Sequence, residues 1–114
     1  MGTRYVYNRH AERPVAVMWV LDYDNTLVDF SDSGYTFVFK IGAPGYQALL
    51  TKTAGIAGGV GSGVEPTGAP NIVLTWDVGE LDIPPGVYDW QLKATISGLD
   101  RFASGTFQIL NAIS

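Results

Sequence analysis

Between Val87 and Ser97 the chain alternates strictly: Tyr88, Trp90, Leu92, Ala94 and Ile96 are apolar, and Asp89, Gln91, Lys93, Thr95 and Ser97 separate them. A period of two puts the first set on one face of an extended chain, so the run predicts a half-buried β-strand. Ile72, Leu74 and Trp76 alternate with Val73, Thr75 and Asp77 in the same way, and Tyr35, Phe37, Phe39 and Ile41 with Thr36, Val38 and Lys40. The inward faces hold Trp76, Tyr88 and Trp90, so core packing is the expected work of these rings.

Other strands follow from weaker patterns. Pro14–Leu21 is continuously apolar, and Val15, Val17, Trp19 and Leu21 are its expected inward set. Phe102–Leu110 is expected to close the fold, with Gly105 as a bulge. Tyr46–Thr53 predicts a further strand, and Thr3–Asn8 an edge strand or arm. Turn signals separate these runs at Asp22–Asn25, Ser31–Gly34, Ala43–Gly45, Ile83–Gly86 and Ser97–Asp100. Only Gly79–Ile83 suits a short helical turn. Ala54–Gly63 has five glycines in ten residues, which predicts a mobile hairpin tip or a loop that orders on assembly. Short strands at this spacing predict an all-β sandwich or barrel.

Composition fits one domain of that kind. The chain has 114 residues, 46% of them hydrophobic, and its fourteen aromatics are ample material for a core. A formal charge of −4 with scattered basic residues disfavours nucleic acid. The chain contains no Cys, which excludes disulfides and thiolate metal sites. No apolar stretch approaches the ~18 residues of a membrane span, and Met1–Arg13 has no apolar run of signal-peptide length, so a protein without span or secretion signal is expected.

The most suggestive chemistry lies in Val17–Phe30, VMWVLDYDNTLVDF. It resembles the first motif of haloacid dehalogenase phosphatases, in which Asp22 would be the nucleophile and Asp24 the general acid/base beside Mg²⁺. That fold needs a parallel strand before Asp22 and a helix after it, whereas Tyr35–Ile41 alternates as a strand. An Asx-rich turn closing a hairpin between Val20 and Leu27 is the simpler reading. Asp22, Asp24, Asn25, Asp29 and Asp32 offer oxygen ligands for Ca²⁺, but without the spacing of a Ca²⁺-binding loop. Gly58–Gly63 lacks the Lys and Ser/Thr of a phosphate cradle. His10 is the single histidine, in a polar segment that suits a surface or interface. No enzyme activity, cofactor or metal is expected.

Over Pro14–Leu110 the chain resembles the immunoglobulin-like N-terminal domain of siphophage baseplate upper proteins. The elements that carry the likeness are the apolar strand Val15–Asp22, the turn Asp24–Asn25, the step Leu27–Phe30, the strands Tyr35–Ile41, Ile72–Trp76 and Trp90–Ile96, the turn Gly98–Asp100 and the closing Phe107–Leu110. Ile72–Ile96, which includes Gly79–Tyr88 reading GELDIPPGVY, is the most specific part. The glycine-rich stretch Ala54–Gly63 departs from the pattern, and no following oligomerisation or receptor-binding segment is expected.

The resemblance implies an immunoglobulin-like antiparallel sandwich over residues 14–114, preceded by an arm or edge strand at 1–13. It also implies structural work in a tail tip or baseplate, in contact with other virion proteins, as a homo-oligomer or symmetric array assembled in the host cytoplasm. Capsid decoration or a head-to-tail role is the alternative within that class. A carbohydrate-binding module is the alternative outside it, and an exposed Trp would favour it. Arg4, Tyr5, Tyr7, Arg9 and Arg13 are the expected interface residues, since Tyr and Arg are enriched at interfaces. An arm lying on a neighbour should be removable without unfolding the sandwich.

Overall fold

The structure, a computed structural model, describes residues 4–8, 15–22, 24–43, 48–63, 65 and 67–110. They form eight strands: β1 (Arg4–Asn8), β2 (Ala16–Met18), β3 (Thr36–Gly42), β4 (Ala48–Lys52), β5 (Ile56–Gly58), β6 (Ile72–Leu74), β7 (Gly86–Ile96) and β8 (Leu99–Leu110). One sheet has the order β1-β8-β7-β3-β4, the other β2-β6-β5. Side chains from both sheets meet in one core, so the architecture is all-β and sandwich-like. Among the described residues there is no helix, and hence none long and apolar enough to cross a membrane.

The alternating strands lie as their pattern predicts: Trp90, Leu92 and Ala94 are buried, as are Phe39, Ile41, Ile72, Leu74 and Trp76. β7 and β8 pair antiparallel from Gly86↔Ile109 to Ile96↔Leu99, leaving a two-residue loop. Its residues Ser97 and Gly98 both have positive φ, 51° and 76°, as a primed hairpin turn requires. The register is unbroken through Trp90↔Gly105, so Gly105 is not a bulge. It lies opposite Trp90 in the ladder. The irregularity falls instead between Ile41 and Gly42, in the β3–β4 pairing.

Further expectations are corrected. In β2 the inward residues are Ala16, Met18 and, just beyond, Val20, while Val15 and Leu21 are exposed and Val17 and Trp19 only partly covered. A continuous apolar run carries no facing information. The pairing sets it: Ala16 and Met18 oppose Leu74 and Ile72, whose side chains point inward. Small and slender side chains suit that side, because the opposite sheet fills the core with Phe39, Trp90 and Phe107. Gly79–Ile83 forms linked turns, not a helix, through Asp77 O···Glu80 N (3.1 Å) and Gly79 O···Asp82 N (3.1 Å).

The glycine-rich stretch contains a strand. Ile56–Gly58 pairs with β6, and a Cβ on Gly58 would lie 2.6 Å from the Phe30 carbonyl oxygen. Glycine is used there for close approach rather than for freedom.

β1 is an edge strand of the larger sheet, and it runs parallel to β8, from Arg4↔Thr106 to Asn8↔Leu110. That sheet is therefore mixed, where an antiparallel one was expected. Tyr7 is buried and stacks on Phe107 (5.3 Å), which also meets Trp76 (5.9 Å). Burial raises the pKa of the Tyr7 hydroxyl, and the adjacent Trp76 indole, whose N–H makes no hydrogen bond of ordinary geometry, offsets this only in part. Removing residues 1–12 would thus strip rings from the core, contrary to the expectation of a dispensable arm.

One charge enters the core's margin. Lys52 faces inward from β4 and is buried; its ammonium meets Glu80 at 2.7 Å and lies 5.5 Å from the Trp76 ring centre. Glu80 also accepts a hydrogen bond from the Asp77 N–H (3.0 Å), so the 77–82 turns hold the partner that Lys52 needs.

Trp90→Ala is expected to cost about 3–5 kcal/mol and Tyr7→Ala about 3 kcal/mol, as large-to-small core changes do. Arg4→Ala, on the outer face, should stay within about 0.5 kcal/mol. Urea titrations check this; a Tyr7→Ala loss below about 1 kcal/mol would show that β1 is not part of the core.

Candidate functional site

Asn71, just before β6, builds the most heavily bonded junction described. Its side-chain oxygen accepts from Val20 N (2.8 Å), and its amide donates to Val20 O (2.9 Å) and Val28 O (2.9 Å). Its backbone N–H donates to Met18 O (3.1 Å), and its carbonyl accepts from Gly59 N (2.9 Å). It therefore fixes the hairpin between Val20 and Val28 against the second sheet. Nothing local in the sequence marks this role, because an Asn between apolar runs reads as a turn residue.

The hairpin is closed as the sequence suggests. Leu21 bridges Leu27, Val28 N donates to Val20 O (3.1 Å), and Asp22 N donates to Thr26 O (2.8 Å). Asn25 takes the left-handed turn position at φ 64°. The Asp24 carboxylate accepts from Thr26 N (3.1 Å) and Thr26 Oγ1 (2.6 Å), which holds its pKa below the ordinary aspartate value. Asp29 is lowered likewise by Ser31 Oγ (2.6 Å) and Ser31 N (2.9 Å). Asp32 accepts from Gly34 N (2.8 Å), and Asp22 pairs with Arg101 (2.9 Å).

The acidic residues considered for Ca²⁺ are thus each engaged locally. Among the described residues no three His, Cys, Asp or Glu side chains converge on one point. Asp22 follows a strand that pairs antiparallel, not the parallel strand of the phosphatase motif.

The expected interface residues do not form one group. The Arg4 guanidinium is exposed and donates to the Gln108 side-chain oxygen. Tyr5 is half-buried, its hydroxyl donating to Val17 O (2.6 Å) and its ring 5.7 Å from that of Trp90. Tyr7 is in the core. Arg9 and Arg13 lie outside the described residues, as does His10.

What the structure assembles instead is a groove between the hairpin and the β8 edge. A hollow of about 490 Å³ is lined by Trp19, Leu21, Asp22, Asn25, Phe102 and Ser104, among others. A second, of about 380 Å³, has Trp19, Leu21 and Asn25 in common with it and adds Thr26, Leu27 and Gly63. Glu65 lines both. Trp76 and Trp90 are buried; Trp19 is the exception, half-covered at the groove wall, its enclosed indole N–H without a partner among the described residues. Reversal of the β2 faces is what places Trp19 there. Compared with protein-family models, curated proteins and solved structures, the chain has no match.

Two measurements test this geometry. Asn71→Ala strands Val20 N–H and Val28 C=O in a buried setting and is expected to cost about 2–6 kcal/mol, at about 1–3 kcal/mol per group. A calorimetric loss under about 1 kcal/mol would contradict the junction. For Asp24 the folded pKa lies below the unfolded one, so its contribution is complete above the ordinary value and fades as pH falls through the folded value. The Thr26 amide resonance should report a midpoint below about pH 3.9; a midpoint at or above it would refute the turn.

Proposed function

We propose that the protein is a structural component of a bacteriophage virion, an immunoglobulin-like module of a tail tip or baseplate that works by contact rather than catalysis. The resemblance of GELDIPPGVY supports the reading, and the segment has the architectural weight such a module needs. Its Glu80 neutralises buried Lys52, its Leu81 and Ile83 enter the core, and its last residues begin β7. Capsid decoration is the other position within the same class.

The observation that carries a contact role is β1. It ends the larger sheet, its Arg4 and Val6 face outward, and Val6 is half-exposed at 47%. A sheet edge of this kind accepts a further strand from a neighbour. The contact therefore lies on the outer side of β1, because Tyr5 and Tyr7 are used within the domain itself.

The test is incorporation. Mass spectrometry of purified particles should find the wild-type chain in many copies. The double variant Arg4→Glu, Val6→Glu should keep the wild-type unfolding midpoint yet be depleted at least tenfold from particles. Absence of the wild-type chain from particles refutes the virion role, and normal incorporation of the variant refutes the β1 contact. The protein should also show no Mg²⁺-dependent hydrolysis of p-nitrophenyl phosphate; activity abolished by Asp22→Asn would restore the phosphatase reading.

A further inference from the structure

We infer that the strand seated on the outer side of β1 is β1 of a second copy of this chain, antiparallel and centred on Val6. Two larger sheets then join into one across a two-fold axis. The inference rests on the edge-contact reading above and names the partner.

The parity of the ladder fixes what β1 offers. Ile96 and Leu99 flank a two-residue turn and so form a hydrogen-bonded pair. Alternation from there gives β7 the backbone groups of Leu99, Arg101 and every second residue up to Ile109. Gln108, opposite Val6, therefore turns its backbone groups to β1, where they meet those of Tyr5 and Tyr7. The N–H and C=O groups of Arg4, Val6 and Asn8 are left facing the other side, where no strand pairs among the described residues.

A sheet edge can pair with the same edge of another copy or with a different one. The opposite end of this sheet is β4, and it is guarded twice against strand addition. Lys52 points inward from it and is buried, and the β3–β4 register is broken between Ile41 and Gly42. Head-to-tail growth of β1 on β4 is thereby opposed, whereas β1 suits itself. With Val6 on the axis all five residues find an opposite: Arg4 meets Asn8, Tyr5 meets Tyr7, and Val6 meets Val6. The outward backbone groups then exchange about six hydrogen bonds, two for each hydrogen-bonded pair. Half-exposed Val6 gains a valine across the axis. The two Arg4 Cα atoms stand about 14 Å apart, beyond the Debye length of about 8–10 Å. Sliding the pair towards Arg4 brings these charges together, and sliding it either way shortens the ladder.

The experiment uses the full chain, whose lack of Cys makes any introduced thiol unique. Sedimentation of the wild type should show monomer and dimer and no larger species. Val6→Glu should weaken the dimer at least about tenfold, because like charges then face each other across the axis. Mixing Val6→Glu with Val6→Lys should restore it, which damage to the fold would not allow. Oxidised Val6→Cys should form a disulfide-linked dimer, since opposed Cα atoms of a hydrogen-bonded pair stand about 5.5 Å apart, within disulfide range. Arg4→Cys should not. Nor should Val87→Cys, which is more exposed than Val6 but five strand spacings, about 24 Å, from its mate. A wild-type chain still monomeric at ~1 mM, no rescue by the mixture, or cross-linking of Arg4→Cys as readily as Val6→Cys would each overturn the two-fold pairing. Monomeric wild type together with depletion of the Arg4→Glu, Val6→Glu variant from particles would overturn the self-pairing alone and leave the edge contact standing.

Discussion

A single side-chain amide holds this small fold together. The Asn71 carboxamide is buried, and its bonds reach 51 residues back to Val20 and 43 back to Val28. The chain there has left the regular ladder, since β2 ends at Met18 and β3 begins only at Thr36. Buried backbone groups outside a sheet must find partners or be penalised. Asn is suited to the task because it offers an acceptor and two donors on one short arm, matching a backbone that presents both. Leu or Val at 71 would satisfy the apolar surroundings and leave the polar groups orphaned.

The same constraint explains the glycines. With Asn71 fixing both the hairpin and Gly59, the 28–30 segment is drawn against β5, and Phe30 N donates to Gly59 O (3.0 Å). A side chain at 58 would collide with Phe30 backbone and Cβ alike. Gly61, at φ 69°, carries the chain past Asn71 itself, where a Cβ would lie 2.9 Å from that of Asn71. A composition that suggests looseness reflects crowding here.

Much of the larger sheet was legible in the sequence. β7 and β3 alternate because one face is buried and the other is wet, and the Ser97–Gly98 turn carries its own signature. In the smaller sheet only β6, within the 72–76 run, was legible in this way. β2 is apolar on both sides, so its facing is set by opposition to β6, and β5 is too short and glycine-rich to show a period. Lys52 reads as an ordinary solvated strand residue until Glu80 is brought to it from 28 residues away. The hairpin half of the groove was legible as a turn. That Trp19 lies at the groove wall and not in the core was not, because it follows from the facing of β2.

The parallel seam between β1 and β8 joins the first strand of the domain to the last. During synthesis β1 leaves the ribosome about a hundred residues before its pairing partner β8. The β7–β8 hairpin can close locally and fast, whereas the seam must wait for a loop of about a hundred residues to close, which is slow on topological grounds. Until then Tyr7 has no core to enter and the β8 edge is bare. A nascent domain without that seam would present an open sheet edge and an unplaced aromatic strand, which is the geometry of strand exchange between neighbouring chains. Docking of β1 covers that flank of β8 and gives Tyr7 its place in the core.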